Sequence, residues 1–551
     1  MTGIFRNHIG LLLALYAGAL GWQAWRVGIT FDEPHHLVDG YMYWLRQDVL
    51  FPADTPPLTR ITSGWVARVL AIPLRKDTEG WQRQGSFDIG GDLIRGLDAL
   101  TVRRLFFLTR LTFLIYPLAL VWLVWRWGRE MFGPTVALVV AACTALEPTI
   151  LAHGPLIKSD VAAAFGAVLF GYLAWRYWRQ PHLGRLAAMA AGLLLAVLAK
   201  FTLLAFVPVA VGLVLWRGPR LAGVGMLFAA VYLGILTGYQ FYEVRKIKAF
   251  EYRQMLNEGF TPREVQLVRK VAGKLNWPAQ FVKGILYIGA ADRNQGFPAY
   301  LLGRKIEYAA PWYFPLAWAI KFPIALQILT LAGLAATVAR LARREARAAD
   351  AFLWLLPLYL LIPALRSHIH IGFRHILPVL PFCILGGGLA LERWGRRRGF
   401  RALAAVSVVW LAGASLWIYP HGISYFNESI GGPRNGWKYL ADSNIDWGQD
   451  LPDLAAYVVR NKIEKIKTFY FGFDVPDHYL PPQRVDNQAA PWDKKWVATT
   501  RLNPAPGVYA ISVNILLGYF FDSEYREYFA YFRAREPDAR AGWSIFIYHV
   551  K

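Results

Sequence analysis

Two adjacent carboxylates follow the first apolar run of the chain, in the stretch 31–36, FDEPHH. A carboxylate such as Asp32 or Glu33 could act as general base toward a hydroxyl acceptor. Neighbouring residues on a helix point about 100° apart, so this pair cannot flank one glycosidic bond as a hydrolase pair does. The alternative is an ordinary helix start, with an N-cap, a first-turn acid and a proline. The two histidines lack the i, i+4 spacing that suits a metal.

Other ionisable side chains gather at the ends of apolar runs. Lys158 and Asp160 precede the fourth run, Lys200 ends the fifth, and Arg374 with His375 begins the tenth. Charges at membrane depth are costly and are usually functional. Each has a structural alternative: snorkelling for the lysines, an N-cap for Asp160, and pairing with a helix C-terminus or a glutamate for Arg374. Together they favour a site for an anionic headgroup.

A polar and aromatic block, SNIDWGQDL, lies at 443–451 in the C-terminal part of the chain. Its amides could bond sugar hydroxyls and its tryptophan could stack on a pyranose face. The alternative is a turn that caps the helix predicted at 450–463 and docks the C-terminal tail on the rest of the protein. We favour this alternative. The candidate sugar-binding or acceptor-binding residues are Asn444, Asp446, Trp447 and Gln449, together with Asp160.

The composition indicates the broad class of protein to which these residues belong. Of 551 residues, 56% are hydrophobic and 18% are charged, and the formal net charge is +23. Basic nucleic-acid-binding and disordered chains are not this apolar, so no nucleic-acid partner is expected. The two cysteines lie inside apolar runs, which excludes a disulfide framework. The sequence predicts a polytopic membrane protein.

Eleven apolar runs of about 16–25 residues are long enough to cross a bilayer. Five short loops between them carry sixteen arginines, whereas three short loops on the opposite side carry four cations. This asymmetry predicts a cytoplasmic N-terminus, an extracytoplasmic C-terminus and a multi-pass protein of the inner (plasma) membrane. The runs lie near 8–27, 105–126, 134–151, 161–178, 185–200, 202–216, 221–240, 313–338, 351–366, 375–392 and 401–418.

Three long segments are predicted outside the membrane: 28–104, 241–312 and 419–551. We therefore divide the chain into a transmembrane catalytic domain, 1–418, and a small C-terminal extracytoplasmic α/β domain, 419–551. Within the tail, a helix-like stretch at 450–463 precedes four strand-like runs bounded by turn residues. Those runs are KTFYFGF, KWVATT, GVYAISVNILLG and WSIFIYHV.

In this order the motifs resemble the GT-C glycosyltransferases of the family 39 group, which includes protein O-mannosyltransferases and the lipid A aminoarabinose transferase. The resemblance covers most of the chain, and the NIDWGQDL block is typical of the bacterial branch. The chain departs from its relatives at Thr55, where they often have histidine. The stretches that carry the resemblance are FDEPHHLVDGYMYWL (31–45), TPPLTRI (55–61), LAHGPLIKSDVAAA (151–164), LAKFT (198–202), and the blocks at 300–323, 370–382 and 425–451.

This resemblance implies a GT-C fold and a transfer reaction outside the cytoplasm. A polyprenyl-phosphate sugar (hexosyl or pentosyl) is the implied donor, and a protein, lipid or cell-envelope glycan hydroxyl is the acceptor. The family's acidic residue in the first external loop is taken as the catalytic base, which maps onto Asp32, with Glu33 supporting it. The sugar carbon is attacked with inversion and polyprenyl phosphate departs.

A leaving phosphate needs cations at the membrane surface, because negative charge grows there in the transition state. Arg374 is the first candidate because arginine binds phosphate with two parallel hydrogen bonds. The other candidates are Lys200, His375, Lys158 and Arg304. No cofactor is predicted, and no carboxylate cluster supports a metal. The competing hypotheses are a transporter or flippase for an anionic lipid-linked sugar, and a degenerate transferase that serves as a binding subunit.

Overall fold

The computed structural model describes residues 2–46, 55–83, 85–218, 220–257, 259–293, 298–306, 310–345, 347–487, 504–520 and 529–551. The described residues up to Gly238 form helices joined by turns and short loops. Its helices are α1 Thr2–Arg26, α2 Glu33–Leu45, α3 Pro57–Val69, α4 Glu79–Arg83, α5 Ser86–Gly96, α6 Ala99–Phe113, α7 Ile115–Phe132, α8 Pro134–Leu146, α9 Pro148–His153, α10 Asp160–Arg179, α11 Leu183–Ala199, α12 Phe206–Arg217 and α13 Arg220–Gly238.

The middle of the chain adds short helices and two small two-stranded antiparallel sheets before the helices lengthen again. The elements are β1 Val244–Arg245, α14 Ala249–Asn257, α15 Pro262–Ala272, β2 Trp277–Pro278, α16 Ala279–Arg293, β3 Ala299–Leu301, β4 Arg304–Ile306, α17 Tyr313–Lys321, α18 Ile324–Ala342, α19 Ala348–Arg366, α20 Leu380–Trp394 and α21 Arg398–Ile418. A 3-10 helix, Phe373–Val379, leads directly into α20.

Each of the eleven apolar runs coincides with helical structure. Among the described residues, six helical segments are long and apolar enough to cross a membrane by length and composition. The runs 185–200 and 202–216 are divided at Lys200, whose backbone is extended. The run 313–338 is broken between α17 and α18 because Pro323 lacks the backbone N–H that would continue the helix. The six segments are Ala99–Phe132, Arg220–Gly238, Ile324–Ala342, Ala348–Arg366, Phe373–Trp394 and Arg398–Ile418.

The segment 28–104 is a set of helices rather than an irregular loop, and α2 and α3 pack closely within it. A Cβ atom added to Gly64 would lie 1.9 Å from the carbonyl of Gly40, so only glycines allow these two helices to approach this far. The Ser63 hydroxyl, one residue earlier, donates to the backbone carbonyl of His36 at 2.8 Å. This packing fixes α2, which begins immediately after Asp32.

The tail combines a five-stranded mixed sheet with short helices. Strand β5 pairs in parallel with β6 and β7, and β9 pairs antiparallel with β7 and β8, giving the order β6-β5-β7-β9-β8. Helix α23 confirms the helix predicted at 450–463. The tail elements are α22 Pro433–Gly436, α23 Leu451–Arg460, β5 Ile466–Phe469, β6 Val485–Asn487, β7 Gly507–Ser512, α24 Val513–Leu517, α25 Ala530–Arg533, β8 Ala539–Ala541 and β9 Ile545–Val550.

One predicted strand is only half right. The run GVYAISVNILLG forms β7 up to Ser512 and then turns into α24. The reason is long-range: Asp446 accepts a hydrogen bond from the Asn514 backbone at 3.0 Å, and the Asn514 amide donates back to the Asp446 carbonyl at 2.8 Å. The predicted strand KWVATT lies outside the described residues. The run KTFYFGF overlaps β5 at Lys467–Phe469, and the run WSIFIYHV contains β9.

The tail shares a hydrophobic core with the helices. Phe426, Ile445 and Trp447 from the tail belong to the same buried cluster as Leu198 and Phe373 from the helical part. The division at 418/419 stays a prediction. The structure shows that the two parts bury side chains against each other, and that the tail has in addition a smaller buried cluster of its own, which includes Leu454, Val458 and Ile547.

Candidate active site

The ionisable residues singled out above meet where several helices end. Helix α1 finishes just before Asp32, α10 begins at Asp160, α11 ends before Lys200, and the 3-10 helix leading into α20 carries Arg374. The segment 441–450 of the tail packs against these helix ends, through the Phe31 backbone N–H donating to the Trp447 carbonyl at 2.8 Å. Residues from four distant parts of the chain thus share one site.

Asp32 is the carboxylate of this site that solvent reaches. Its Oδ2 accepts a hydrogen bond from Lys158 Nζ at 2.7 Å and lies 3.6 Å from Arg374 Nη2. Its side chain keeps 21% exposure, whereas Asp160 has 1%. Asp32 occupies the N-cap position of α2, but its side chain makes no capping hydrogen bond. The helix-start interpretation therefore does not account for the carboxylate.

Asp160 is the buried centre of the cluster. Its carboxylate lies 2.7 Å from Lys200 Nζ, 3.5 Å from Arg374 Nη1 and 3.7 Å from Lys158 Nζ. Ser159, not Asp160, occupies the N-cap of α10. The carboxylate is enclosed by three cations, which leaves it poorly placed for the sugar or acceptor contact predicted for it. Its position suits a residue that orients the cations, and Lys200 is paired rather than snorkelling.

Trp447 lies against the two cations nearest Asp32. Lys158 Nζ is 3.6 Å from the Trp447 ring centroid and the Arg374 guanidinium is 4.4 Å away. Arg374 also donates from Nε to the Ser443 hydroxyl at 2.8 Å. A buried aromatic face stabilises nearby cations electrostatically. The ring is already covered, so the structure points to cation positioning rather than the predicted stacking on a sugar.

The remaining polar residues of the block are satisfied inside the protein. Asn444 accepts from the Phe373 backbone at 2.9 Å and donates to the Tyr313 hydroxyl at 3.0 Å. Asp446 holds the turn at Gly448, which needs φ +85° and has no room for a Cβ beside Tyr470 and Phe471.

Gln449 completes this internal network. Its side-chain oxygen accepts from the Trp447 backbone at 2.7 Å and its amide donates to the Ile445 carbonyl at 2.8 Å. These bonds favour the docking interpretation of the block over sugar contact. One detail of that interpretation is wrong: Asp450 sits at the N-cap of α23 without capping it, and its carboxylate accepts from the Trp543 and Ser544 backbones instead.

Glu33 differs from its neighbour Asp32 in how far its side chain is buried. It is fully buried and forms a two-point ion pair with Arg110, with Nε to Oε1 at 2.8 Å and Nη2 to Oε2 at 2.5 Å. It also accepts from the Thr30 and Ile157 backbones. With its lone pairs engaged, Glu33 holds the first external loop in place and does not face a substrate.

Two other predicted phosphate ligands have different outcomes. His375 lies in the first turn after Gly372, and its Nε2 has no hydrogen-bond partner among the described residues. Arg304 is exposed on the β3–β4 hairpin, and no ion pair joins it to the cluster in the described part of the chain. The structure brings His375 near the site and leaves Arg304 apart from it.

The electrostatics of the site follow from burial and pairing. Burial opposes ionisation of Asp32, but Lys158, Arg374 and His36 outweigh it and hold the pKa of Asp32 below its ordinary value. Burial and the neighbouring Arg374 lower the pKa of Lys158 to about 8. With Lys158, Lys200 and Arg374 charged, three cations face two carboxylates. These five side chains together carry one net positive charge, which the Asp442 carboxylate near Arg374 offsets when it is ionised.

The pKa of Lys158 predicts a pH dependence. The lysine is charged below about pH 8 and neutral above it, so anion binding is expected to weaken as pH rises through this value. We expect kcat/KM for a phosphate-bearing donor to fall above about pH 8, because kcat/KM reports the free enzyme. Lys158→Arg, which stays charged, is expected to remove this fall in kcat/KM. If the fall persists unchanged in Lys158→Arg, a group other than Lys158 causes it.

Three residues around the site, Arg110, Ser443 and Asp442, were not predicted as site residues, and the cation contacts of Trp447 were not predicted either. Arg110 was visible as a costly charge at a span, but its partner is 77 positions away. Ser443 orients Arg374, and the cation-holding role of Trp447 depends on tertiary packing alone. Asp442 adopts φ +59°, which is uncommon for a non-glycine residue, and burial raises its pKa to about 6.

In the part of the chain that the structure describes, one group of side chains is close enough together to hold a cation: His421, Asp450 and Asp453. Their charges are already used, since His421 Nδ1 lies 3.0 Å from Asp450 Oδ1 and Arg26 pairs with Asp453 at 2.6 Å. The group fastens the tail to the end of α1.

No family model matches the chain, and no curated protein matches it. Solved structures do. ArnT from Cupriavidus metallidurans bound to undecaprenyl phosphate is 12% identical over 98% of this chain and 97% of its own, with a TM-score of 0.44. AglB, the archaeal oligosaccharyltransferase of Archaeoglobus fulgidus in complex with an inhibitory peptide and a dolichol-phosphate, is 12% identical over 93% of this chain and 70% of its own, with a TM-score of 0.45. The chemistry proposed below rests on the residues of this chain.

Proposed function

We propose that the protein is a membrane glycosyltransferase that moves a sugar from a polyprenyl-phosphate donor to a hydroxyl acceptor. The observation that carries this proposal is the arrangement around Asp32. A partly exposed carboxylate lies beside two buried cations, Lys158 and Arg374, which a third cation supports through Asp160. A base next to an anion-binding group is what transfer from a sugar phosphate to a hydroxyl requires.

The cations stabilise the leaving group in this proposal. The phosphate of a polyprenyl-phosphate sugar is a monoanion, and the released polyprenyl phosphate gains a second negative charge. Lys158 and Arg374 lie 2.7 Å and 3.6 Å from Asp32, so a phosphate in contact with both cations would hold the sugar near this carboxylate. Fixed charges aimed at developing charge lower the barrier without reorganisation.

Asp32 takes the acceptor proton. The acceptor oxygen forms a bond to the anomeric carbon, the bond from that carbon to the phosphate oxygen breaks, and the hydroxyl proton passes to Asp32. The configuration inverts because attack comes from the face opposite the phosphate. Before donor binding, Lys158 and Arg374 weaken Asp32 as a base; a bound phosphate competes for both cations and so raises its proton affinity.

The arginine asymmetry of the short loops supports an extracytoplasmic site in the inner membrane, with the N-terminus inside. A C-terminal periplasmic-type reporter, such as alkaline phosphatase, is therefore expected to be active, and a C-terminal cytoplasmic-type reporter, such as GFP, inactive. A fusion to the α18–α19 loop should show the reverse. Activity of the C-terminal GFP fusion would overturn both the topology and the proposed side of the reaction.

The test of function is a purified-protein assay with polyprenyl-phosphate hexoses and pentoses and hydroxyl acceptors. Release of free polyprenyl phosphate that depends on protein and acceptor supports a transferase. Movement of the intact lipid-linked sugar across a vesicle bilayer without release would instead support the flippase hypothesis. The chain's own cations supply positive charge, so activity is expected to survive EDTA.

Arg374→Ala is expected to lower donor turnover by about 10²–10³-fold, the usual effect of removing one preorganised donor from a charged transition state. The loss should appear in kcat, with a smaller change in the acceptor KM. Arg304→Ala, an exposed arginine away from the cluster, is the matched control and should retain activity. Unchanged donor turnover in Arg374→Ala would transfer the phosphate role to Lys158 and Lys200.

A further inference from the structure

A second charged cavity lies beside the site, at the junction of α1, α6 and the tail. It has a volume of about 230 Å³, enough for a small polar headgroup. The side chains that matter for its chemistry are Trp25, Arg26, Arg103, Arg110, His478 and Tyr479.

The three arginines of this cavity differ in how their charge is used. Arg110 is paired with Glu33, and Arg26 is paired with Asp453 at 2.6 Å. Arg103 has its guanidinium 3.7 Å from the Trp25 ring centroid and, within the described ranges, no carboxylate partner. Arg103 therefore presents its positive charge on an aromatic face of the cavity, which suits an anion rather than a neutral ligand. The Asp474 carboxylate does not line the cavity and accepts a hydrogen bond from the Tyr479 hydroxyl at 2.7 Å.

The surface next to the cavity is apolar and faces outward on the same two helices. On α1, Leu15 and Trp22 are 65% and 57% exposed, and they lie on one face with Leu11. On α6, Phe107 lines the cavity one turn beyond Arg103 and is half-buried. Both helices belong to predicted membrane spans, so this surface is the one that acyl chains would cover.

Trp25 joins the cavity to this apolar surface. It lines the cavity and is itself 40% exposed, three residues beyond Trp22 on α1. An occupant with an anionic head in the cavity and hydrocarbon along the helices would use both features. A soluble anion would use only the first.

We propose that this cavity binds the phosphate headgroup of an anionic glycerophospholipid, whose acyl chains lie along α1 and α6. The phosphate contacts Arg103, and the lipid bridges the membrane helices and the tail residues 478–479. This site is distinct from the proposed donor site, since it shares none of the cluster around Asp160, and it goes beyond the proposed transfer reaction.

The experiment uses delipidated full-length protein in neutral detergent. Phosphatidylglycerol and phosphatidylcholine with identical acyl chains are titrated, and the apparent melting temperature and lipid retention by native mass spectrometry are measured. Saturable stabilisation by phosphatidylglycerol, with a much weaker effect of phosphatidylcholine, is expected. Arg103→Gln should weaken phosphatidylglycerol binding about tenfold, since a hydrogen bond to a charged group contributes about that factor.

Arg104→Gln is the matched control, because Arg104 is the exposed neighbour that points about 100° away on α6 and does not line the cavity. It should bind phosphatidylglycerol as the parent does. Arg103→Lys, which keeps the charge, should recover part of the affinity. Equal losses in both glutamine variants, or equal binding of the two lipids, would overturn the proposal.

A third arm separates a lipid from a free phosphate. Glycerol 3-phosphate is titrated under the same conditions. At concentrations equal to those at which phosphatidylglycerol saturates the protein, it is expected to give no saturable shift in the apparent melting temperature. A shift of equal affinity would show that the cavity takes a soluble phosphate and would refute the lipid assignment. Arg103 is exposed, so Arg103→Gln should fold, and its melting temperature without lipid verifies this. The readouts are independent of transferase activity, so failure here leaves the proposed function standing.

Discussion

Asp32→Asn is expected to lower kcat by about 10²–10⁴-fold, the usual contribution of a positioned general base. The amide keeps the shape of the carboxylate but cannot take the acceptor proton. The donor KM should stay level or fall, because the phosphate no longer competes with a carboxylate for Lys158 and Arg374. Steady-state kinetics with a saturating acceptor, varying the donor, measure both quantities.

A large fall in kcat without a rise in the donor KM is the result that identifies Asp32 as a general base. A variant that lost donor affinity and kept kcat would show that Asp32 binds substrate without moving a proton. Asp442→Asn is the comparison variant, since Asp442 is a half-buried acid near Arg374 that the proposal leaves outside the proton transfer. Full turnover by Asp32→Asn would refute the general-base assignment.

Glu33→Gln is expected to destabilise the protein rather than to slow its chemistry. The substitution leaves the Arg110 guanidinium buried with no opposite charge, and breaking such a pair costs about 3–5 kcal/mol. The apparent melting temperature in detergent should drop by several degrees, and the yield of folded protein should fall. Molecules that remain folded should retain most of their turnover per active site.

Asp32→Asn is the control for this measurement, because it changes the neighbouring carboxylate, which is partly exposed. It should melt close to the parent. A stable but inactive Glu33→Gln would contradict the structural role and would place Glu33 in the reaction. Thermal unfolding and active-site titration on the same preparation separate these outcomes.

The sequence predicts the membership of the site better than its internal roles. Charges at the ends of apolar runs had to share one side of the membrane, which predicted that Lys200, Asp160 and Arg374 would lie close together. Their pairing needed the structure, since Asp160 and Arg374 are 214 positions apart. The local sequence pattern shows the periodicity of the apolar residues and the charges that are costly in a membrane. It does not show which residue of another helix pairs with each charge.

The same limit explains the tail. The helix α23 was visible from its local sequence, a predicted run overlaps most of β5, and β9 lies within another predicted run. The end of β7 was not visible, because Asp446 sets it from 68 positions away. Trp447 was noticed as an aromatic next to amides, a pattern typical of sugar sites, whereas its ring is covered by cations that come from other helices.

The docking of residues 441–450 under Lys158 and Arg374 has a consequence for how the protein is made. Lys158 and Arg374 belong to the helical part of the chain and are synthesised before the tail, so Trp447 and Ser443 can reach them only after the last of these helices has been made. The sheet that holds α24 against Asp446 includes β9, Ile545–Val550. A nascent chain is therefore expected to complete the proposed cation cluster only once β9 has been synthesised and has joined its sheet.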